Sequence, residues 1–323
     1  MLEIITLVLP FFGLILLGYV VAKFTHQPDG AMGWLNVFII YVSLPALFYK
    51  LLANTPVEEF KRADFLATTT YVAFIIFALV FAIGYLIRRN HIGHATIQGL
   101  AGAYGNIGYM GPGLAIAALG PEAAVPVALI FCFDNTLHFA MAPLMMAIGG
   151  NAPRQSWQKM VLDVLKKIFT HPFILATIVG VLAAVVEFQP PDVLAKLLNY
   201  LSNAAAPCAL FAMGVTVALT PTGRMPWVLG ALVPIKLLVH PVLVYLLLSW
   251  VGDFDPVWVY TAVLLASLPT ATNVFVIAQQ YDVWVARASS MVLVSTALSV
   301  FTVTALLYLI ASGTLPADLF PAR

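Results

Sequence analysis

Residues 105–113 read GNIGYMGPG. Four of these nine residues are glycine, one is proline and one is asparagine, and they interrupt a long apolar run over 95–120. Glycine contributes little helix propensity. Proline removes a backbone donor and opens the carbonyl four residues earlier. A helix is therefore expected to break here. Inside a bilayer such a break exposes N–H and C=O groups that lipid cannot satisfy, so they must face protein, water or a ligand.

The composition makes the bilayer the right frame. The chain has 323 residues, 62% of them hydrophobic and 9% charged, with mean hydropathy +0.99. A soluble domain of this size needs far more surface charge. Repeated apolar runs of about 20 residues match a bilayer core. They are continuous rather than alternating, which excludes a transmembrane β-barrel. The fold expected is an all-α polytopic membrane protein. The net charge of +1 and the lack of a basic block give no sign of a nucleic-acid partner. Cys132 and Cys208 both fall in apolar runs and read as small buried hydrophobes. Glu3 stands where a signal peptide carries basic residues, and no cleavage site follows, so the first run is expected to remain as a helix.

About ten spans are expected, near 4–23, 32–53, 64–88, 95–120, 122–148, 171–189, 193–219, 226–250, 256–280 and 284–312. The separators HQPDG, NTPVEEFKRAD, RRNHIGH, EFQPPD, TPTGRMP and GDFDP carry breakers and charges. The basic residues set orientation. With the N-terminus outside, the inner loops hold Lys23, Arg88, Arg89, Arg154, Lys159, Lys166, Lys167, Arg224 and Arg287. The outer side holds Lys50, Lys61, Arg62, Lys196 and Arg323. The bias predicts both termini on the periplasmic or extracellular side of an inner (plasma) membrane. Arg88, Arg89 and His91, at a span end, read as facing anionic lipid and cytosol. Glu58, Glu59 and Asp64 read as solvated at the outer mouth of the third span.

The longest connection covers 149–170. Within SWQKMVLDVLKKIF, residues 156–169, one face holds Trp157, Met160, Val161, Val164, Leu165, Ile168 and Phe169. The other holds Lys159, Asp163, Lys166 and Lys167. This predicts an amphipathic connector helix lying on the inner surface. It divides the chain into 1–148 and 171–323, about five spans each. An odd number per half requires a repeat, if present, to be inverted in the membrane. The punctuation recurs accordingly: SLPALF (43–48) against AAPCALF (205–211), and the break at 105–113 against SLPTATN (267–273).

Paired broken helices near the midplane form substrate sites in inverted-repeat transporters. Asn106, Tyr109 and Pro112 at the first break, and Pro269, Thr270, Thr272 and Asn273 at the second, are the candidate substrate-binding residues. The amides and hydroxyls among them can bond a carboxylate, amide or hydroxyl. Pro10, Pro143, Pro172 and Pro241 read instead as packing devices.

NIGYMGPGLAIAALG, SLPTATNVFVIAQQY and SLPAL resemble the auxin efflux carrier family. That family includes bacterial carriers for malate or malonate and the plant PIN-type auxin exporters, and the resemblance covers nearly the whole chain. It implies ten helices in two inverted five-helix repeats, with helices 4 and 9 crossing at interrupted segments. It also implies a scaffold of helices 1, 2, 6 and 7, a mobile transport domain of helices 3–5 and 8–10, a homodimer through the scaffold, and elevator-type movement. Asn106, Pro112, Pro269 and Asn273 then fall at the crossover. The connector here lacks the long cytoplasmic loop of many plant members, so regulation through that loop does not carry over.

Mid-span ionisable groups are costly and therefore functional candidates. Asp134 and His138 lie four apart in the fifth span, and Lys236 and His240 four apart in the eighth. An Asp134–Lys236 ion pair would neutralise both charges, as a static structural pair or as a switch. In the switch, an arriving anion competes for Lys236 while Asp134 takes a proton. Asp134, His138 and His240 are the ion-coupling candidates and Lys236 a substrate contact. The coupling ion is H+, with Na+ as the alternative, and no cofactor or metal ligand set is expected. Half-helix N-termini, amides and Lys236 favour a small organic anion. No GxxxxGK[ST] phosphate loop appears, which leaves a secondary carrier. An intramembrane enzyme lacks GxSxG and HExxH, and Cys132 and His138 sit on different helix faces. A channel or a ligand sensor are the remaining alternatives.

Overall fold

The computed structural model describes residues 2–26, 28–56, 62–87, 91–151, 156–219, 227–252 and 254–320. Glu58, Glu59, Lys61, Arg88, Arg89, Arg154, Arg224 and Arg323 lie outside the described residues, as do the side chains of Glu3 and Trp157.

Every regular element among the described residues is helical. α1 (Leu2–Thr25) is followed by α2 (Gly33–Phe38) and α3 (Leu44–Leu52), joined by a π-helical turn over Ile39–Ser43. α4 (Ala63–Ile87) is unbroken. The next apolar run is split into α5 (Ile92–Ala103) and α6 (Gly111–Leu119). α7 (Ala124–Ile148), α8 (Trp157–Phe169), α9 (Pro172–Val185) and α10 (Asp192–Leu219) follow. A second π-helical turn, Ile235–Val239, joins α11 (Leu229–Pro234) to α12 (His240–Val251). The second split run is α13 (Pro256–Ser267) and α14 (Thr272–Gln280), and α15 (Val285–Ala311) closes the chain.

Six helical stretches among the described residues are long and apolar enough to cross a bilayer, or seven if the pair Gln158–Phe169 and Pro172–Val185, bent by 58°, is one span. The sequence led to about ten. In α1 only Leu9–Thr25 registers, as a shorter apolar helix. α9 has 14 residues. In the split runs the halves have 12 and 9 residues, too few to span singly.

Both π-helical turns end two residues before a proline, Pro45 and Pro241. Proline cannot donate to the preceding turn, and a widened turn is how the ladder absorbs that loss. α1 and α10 approach closely enough to require glycine. A Cβ on Gly18 would lie 2.1 Å from the Phe211 carbonyl oxygen, and one on Gly214 would lie 1.9 Å from that of Ile15. Small residues at such crossings are how membrane helices gain packing energy. Leu16, Leu17, Tyr71, Phe74, Val179, Leu182 and Phe301 stay exposed, as a lipid-facing surface requires.

α8 starts on a cap, the Lys159 N–H donating to Ser156 Oγ at 3.3 Å. Met160, Val161, Val164 and Ile168 are half-buried, while Lys159, Asp163, Lys166 and Lys167 are exposed. Leu165 and Phe169, read from the sequence as part of the apolar face, are exposed. The bend at Thr170–His171 thus separates an amphipathic helix from apolar α9. Cys132 and Cys208 are free and half-buried rather than fully buried, with Cys132 Sγ 3.6 Å from Thr177 Oγ1.

Candidate functional site: the paired breaks and their cavity

The two interruptions meet. The Asn106 N–H donates to the Pro269 carbonyl at 2.8 Å, and the Ala271 N–H donates to the Tyr104 carbonyl at 2.9 Å. Gly105 and Thr270 form an isolated antiparallel bridge between them. The broken backbones therefore satisfy one another, which answers part of the demand that a bilayer places on an interrupted helix. A Cβ on Gly105 would lie 3.2 Å from the Leu265 carbonyl oxygen and 3.3 Å from Lys236 Nζ, so the glycine permits the close approach. Gly113 does the same towards α10, where a Cβ would meet Ala206 Cβ at 2.7 Å.

Beside the bridge lies a cavity of about 400 Å³. At the breaks it is lined by Tyr104, Gly105, Asn106, Tyr109, Thr272 and Asn273. Ile40 and Tyr41 come from the first π-helical turn, and Phe131, Asn135 and Phe139 from α7. Lys167, Thr170, His171, Pro172 and Phe173 come from the α8–α9 junction, and Gln280 from the end of α14. Phe48, Phe131 and Phe173 pack against one another at centroid distances of 5.7, 5.6 and 4.6 Å, which fixes the wall between α3, α7 and α9.

The sequence candidates separate by geometry. Asn106, Tyr109, Thr272 and Asn273 line the cavity. Asn106 is 2% exposed, and its Nδ2 lies 3.0 Å from Met213 Sδ, a weak acceptor. Asn273 Nδ2 donates to the Tyr104 hydroxyl at 2.9 Å, and that hydroxyl donates in turn to Asn135 Oδ1. Asn135 Nδ2 is held by the Phe131 carbonyl at 2.7 Å. Pro112 and Pro269 do not line the cavity. Pro112 opens α6, and Pro269 lends its carbonyl to the bridge. Thr270 also lies behind the wall. Its hydroxyl donates to the Ala101 carbonyl at 2.8 Å, and its N–H donates to Ser295 Oγ at 3.1 Å. It stitches α5, α15 and the second break together.

The ionisable groups sit behind the crossover. Lys236 is fully buried and does not line the cavity. Its ammonium donates to the Ala266 carbonyl at 2.6 Å and lies 3.3 Å from His240 Nδ1. It therefore caps the C-terminal end of half-helix α13, where the helix dipole is negative. The Asp134–Lys236 ion pair that the sequence left open does not form as a contact among the described residues. Asp134 Oδ1 is buried without a hydrogen-bond partner. His138 Nδ1 donates to the Asp134 carbonyl at 2.6 Å, its Nε2 is buried without a partner, and its ring stacks on Tyr104 at 4.4 Å and 6°. Tyr104 thus touches the candidate substrate side chain Asn273 on one side and the Asp134–His138 turn on the other. Among the described residues no group of three or more His, Cys, Asp or Glu is placed to hold a metal ion.

Sequence reasoning passed over Tyr104, the last residue before the break, whose position was its signal. Asn135 follows Asp134 in sequence, and that neighbour was its signal. Thr170, His171 and Gln280 carried no local signal, because only the packing of α8, α9 and α14 brings them to one cavity.

A family model described as "Membrane transport protein" matches residues 3–148 and 134–307. A Rhizobium meliloti protein named "Putative malonate transporter" is 62% identical over 321 residues, covering 99% of this chain and 100% of that protein. A Methanothermobacter thermautotrophicus protein named "Uncharacterized transporter" is 26% identical over 291 residues, covering 88% and 91%.

Proposed function

The chain belongs to the auxin efflux carrier family of membrane transport proteins, and from that premise we propose that it is a secondary carrier for a small organic anion. The 62% identical relative's name makes malonate the first substrate to try. The observation that carries the reading is the pairing of the two breaks beside a cavity lined by Asn106, Thr272 and Asn273. The first turn of α14 presents N–H groups with no intrahelical partner, and its dipole favours an anion. Asn106 Nδ2, set against a thioether, gains by exchanging that sulfur for a carboxylate oxygen.

In this reading the chain crosses an inner membrane about ten times, as two inverted five-span halves with both termini outside. α1–α3, α9 and α10 are the scaffold and the homodimer surface, and α4–α7 with α11–α15 move. The cavity draws on both parts, Tyr41 and Phe173 from one and Asn106 and Asn273 from the other. Sliding one part past the other would then carry the site across, which supports an elevator over a fixed pore.

The coupling ion in this reading is the proton. Asp134 has a buried oxygen with no partner, so taking a proton breaks no hydrogen bond. Tyr104 and Asn135 connect its turn to the cavity. Lys236 acts at one remove, as a buried donor that holds the end of α13 beside Gly105. Malonate uptake into proteoliposomes under an imposed pH gradient tests the proposal. Saturable uptake that rises with the proton gradient supports it. Uptake driven by a sodium gradient alone would overturn the proton assignment, and no malonate flux under any gradient would overturn the substrate.

A further inference from the structure

The cavity has two chemically different ends. One is the crossover, with its amides and the first turn of α14. The other is built by the α8–α9 junction and the end of α14, through Lys167, Thr170, His171 and Gln280. No carboxylate side chain lines the cavity among the described residues. The Lys167 ammonium makes no ion pair among them either, with Asp163 one turn earlier or with any other acid. His171 is packed against Phe131, Phe139 and Phe173, yet its Nδ1 is buried without a hydrogen-bond partner. The same junction opens α9, a helix of 14 residues whose first residues, Pro172 and Phe173, also line the cavity. An unneutralised ammonium, an amide and a helix N-terminus all favour negative charge, and the His171 ring can add a donor in the tautomer that carries its proton on Nδ1.

We propose that this mouth is a second carboxylate subsite, with Lys167 as the specificity-determining cation that favours dianionic over monoanionic acids. The inference rests on the organic-anion reading above and adds the residue that reads the second carboxylate of a substrate such as malonate. Lys167 is exposed to water at the edge of the cavity, and a dianion gains about twice the Coulombic attraction of a monoanion from one such charge. The sequence alone gives Lys167 only the role of a basic residue in the last turn of a surface helix. Lys166 shares that turn, is equally placed to favour the helix C-terminus, and does not line this cavity; with Asp163 it lines an adjoining pocket that shares Lys167, Thr170 and Gln280. It is the internal control.

The test compares malonate with malonamate, in which one carboxylate is replaced by a carboxamide of the same shape. Dissociation constants are measured on the purified full-length protein and on Lys167→Gln, Lys167→Arg and Lys166→Gln. The wild type should prefer malonate by about tenfold or more, the scale of one charge-assisted contact. Lys167→Gln should lower that preference about fivefold to tenfold, through weaker malonate binding with malonamate binding unchanged. Lys167→Arg should keep the preference, and Lys166→Gln should leave both constants as they are. Equal effects of Lys167→Gln and Lys166→Gln, or an unchanged preference in Lys167→Gln, would overturn the subsite. A wild type that binds both compounds equally would overturn the subsite while leaving the carboxylate reading standing. A wild type that binds neither would overturn both.

Discussion

Asn106 and Asn273 sit on opposite breaks, and different partners hold them. Asn273 is tied into the Tyr104–Asn135 chain, whereas Asn106 Nδ2 has only the sulfur of Met213. Substituting Asn273 therefore disturbs a network as well as a ligand contact, while substituting Asn106 removes little but the contact. Asn106→Ala should abolish flux with a thermal unfolding midpoint close to wild type. Tyr104→Phe is the complementary change. It leaves the buried amide of Asn135 and the half-buried amide of Asn273 each short of a partner, a cost of about 1–3 kcal/mol for each buried group left unsatisfied. It should lower the unfolding midpoint and slow transport together, read by thermal denaturation and flux on the same preparation. A Tyr104→Phe variant with an unchanged midpoint would mean that the hydroxyl is not the link between Asn273 and α7.

The helical elements were legible because their signals are local. Glycine and proline at 105–113, and SLPTATN at 267–273, mark breaks wherever they occur, and both breaks are present. The alternation of charge and apolar residues over 156–169 likewise marks α8. What was not legible is pairing. The bridge of Gly105 to Thr270 joins residues far apart in sequence, and Lys236 was read as facing substrate because its type suits an anion. Its helical turn instead aims it at the Ala266 carbonyl, so it serves the end of α13. The glycines at 18 and 214 also had no sequence signal beyond their identity, yet they set how near α1 and α10 come. Gly214→Ala should destabilise by about 1–3 kcal/mol or more, since its Cβ would overlap a backbone carbonyl that cannot move away cheaply. Gly13→Ala, where a Cβ meets nothing within 4 Å, should be close to neutral. Thermal unfolding in the same detergent separates the two, and equal effects would contradict the packing argument.

At the scale of the whole molecule, composition fixed the membrane class and the family match fixed the transporter class. The number of spans was harder to read, because an interrupted segment and a short helix such as α9 each look sub-threshold alone. Coupling also belongs to this scale. Asp134 and Lys236 lie behind the cavity in different helices and form no ion pair, yet each charge acts on the other across the low-dielectric interior, so coupling between them needs no direct contact. Asp134→Asn should uncouple transport from the proton gradient while leaving malonate exchange between equal pH compartments in place. Retained acceleration by a pH gradient in that variant would remove Asp134 from the coupling path.

The most direct test of the central claim, that the paired breaks hold the substrate, is malonate counterflow into proteoliposomes carrying wild type or Asn106→Ala at matched protein content and matched unfolding midpoint. The account predicts saturable counterflow in the wild type and none above background in Asn106→Ala. Wild-type counterflow in Asn106→Ala, and again in Asn273→Ala, would contradict it and move the substrate away from the crossover.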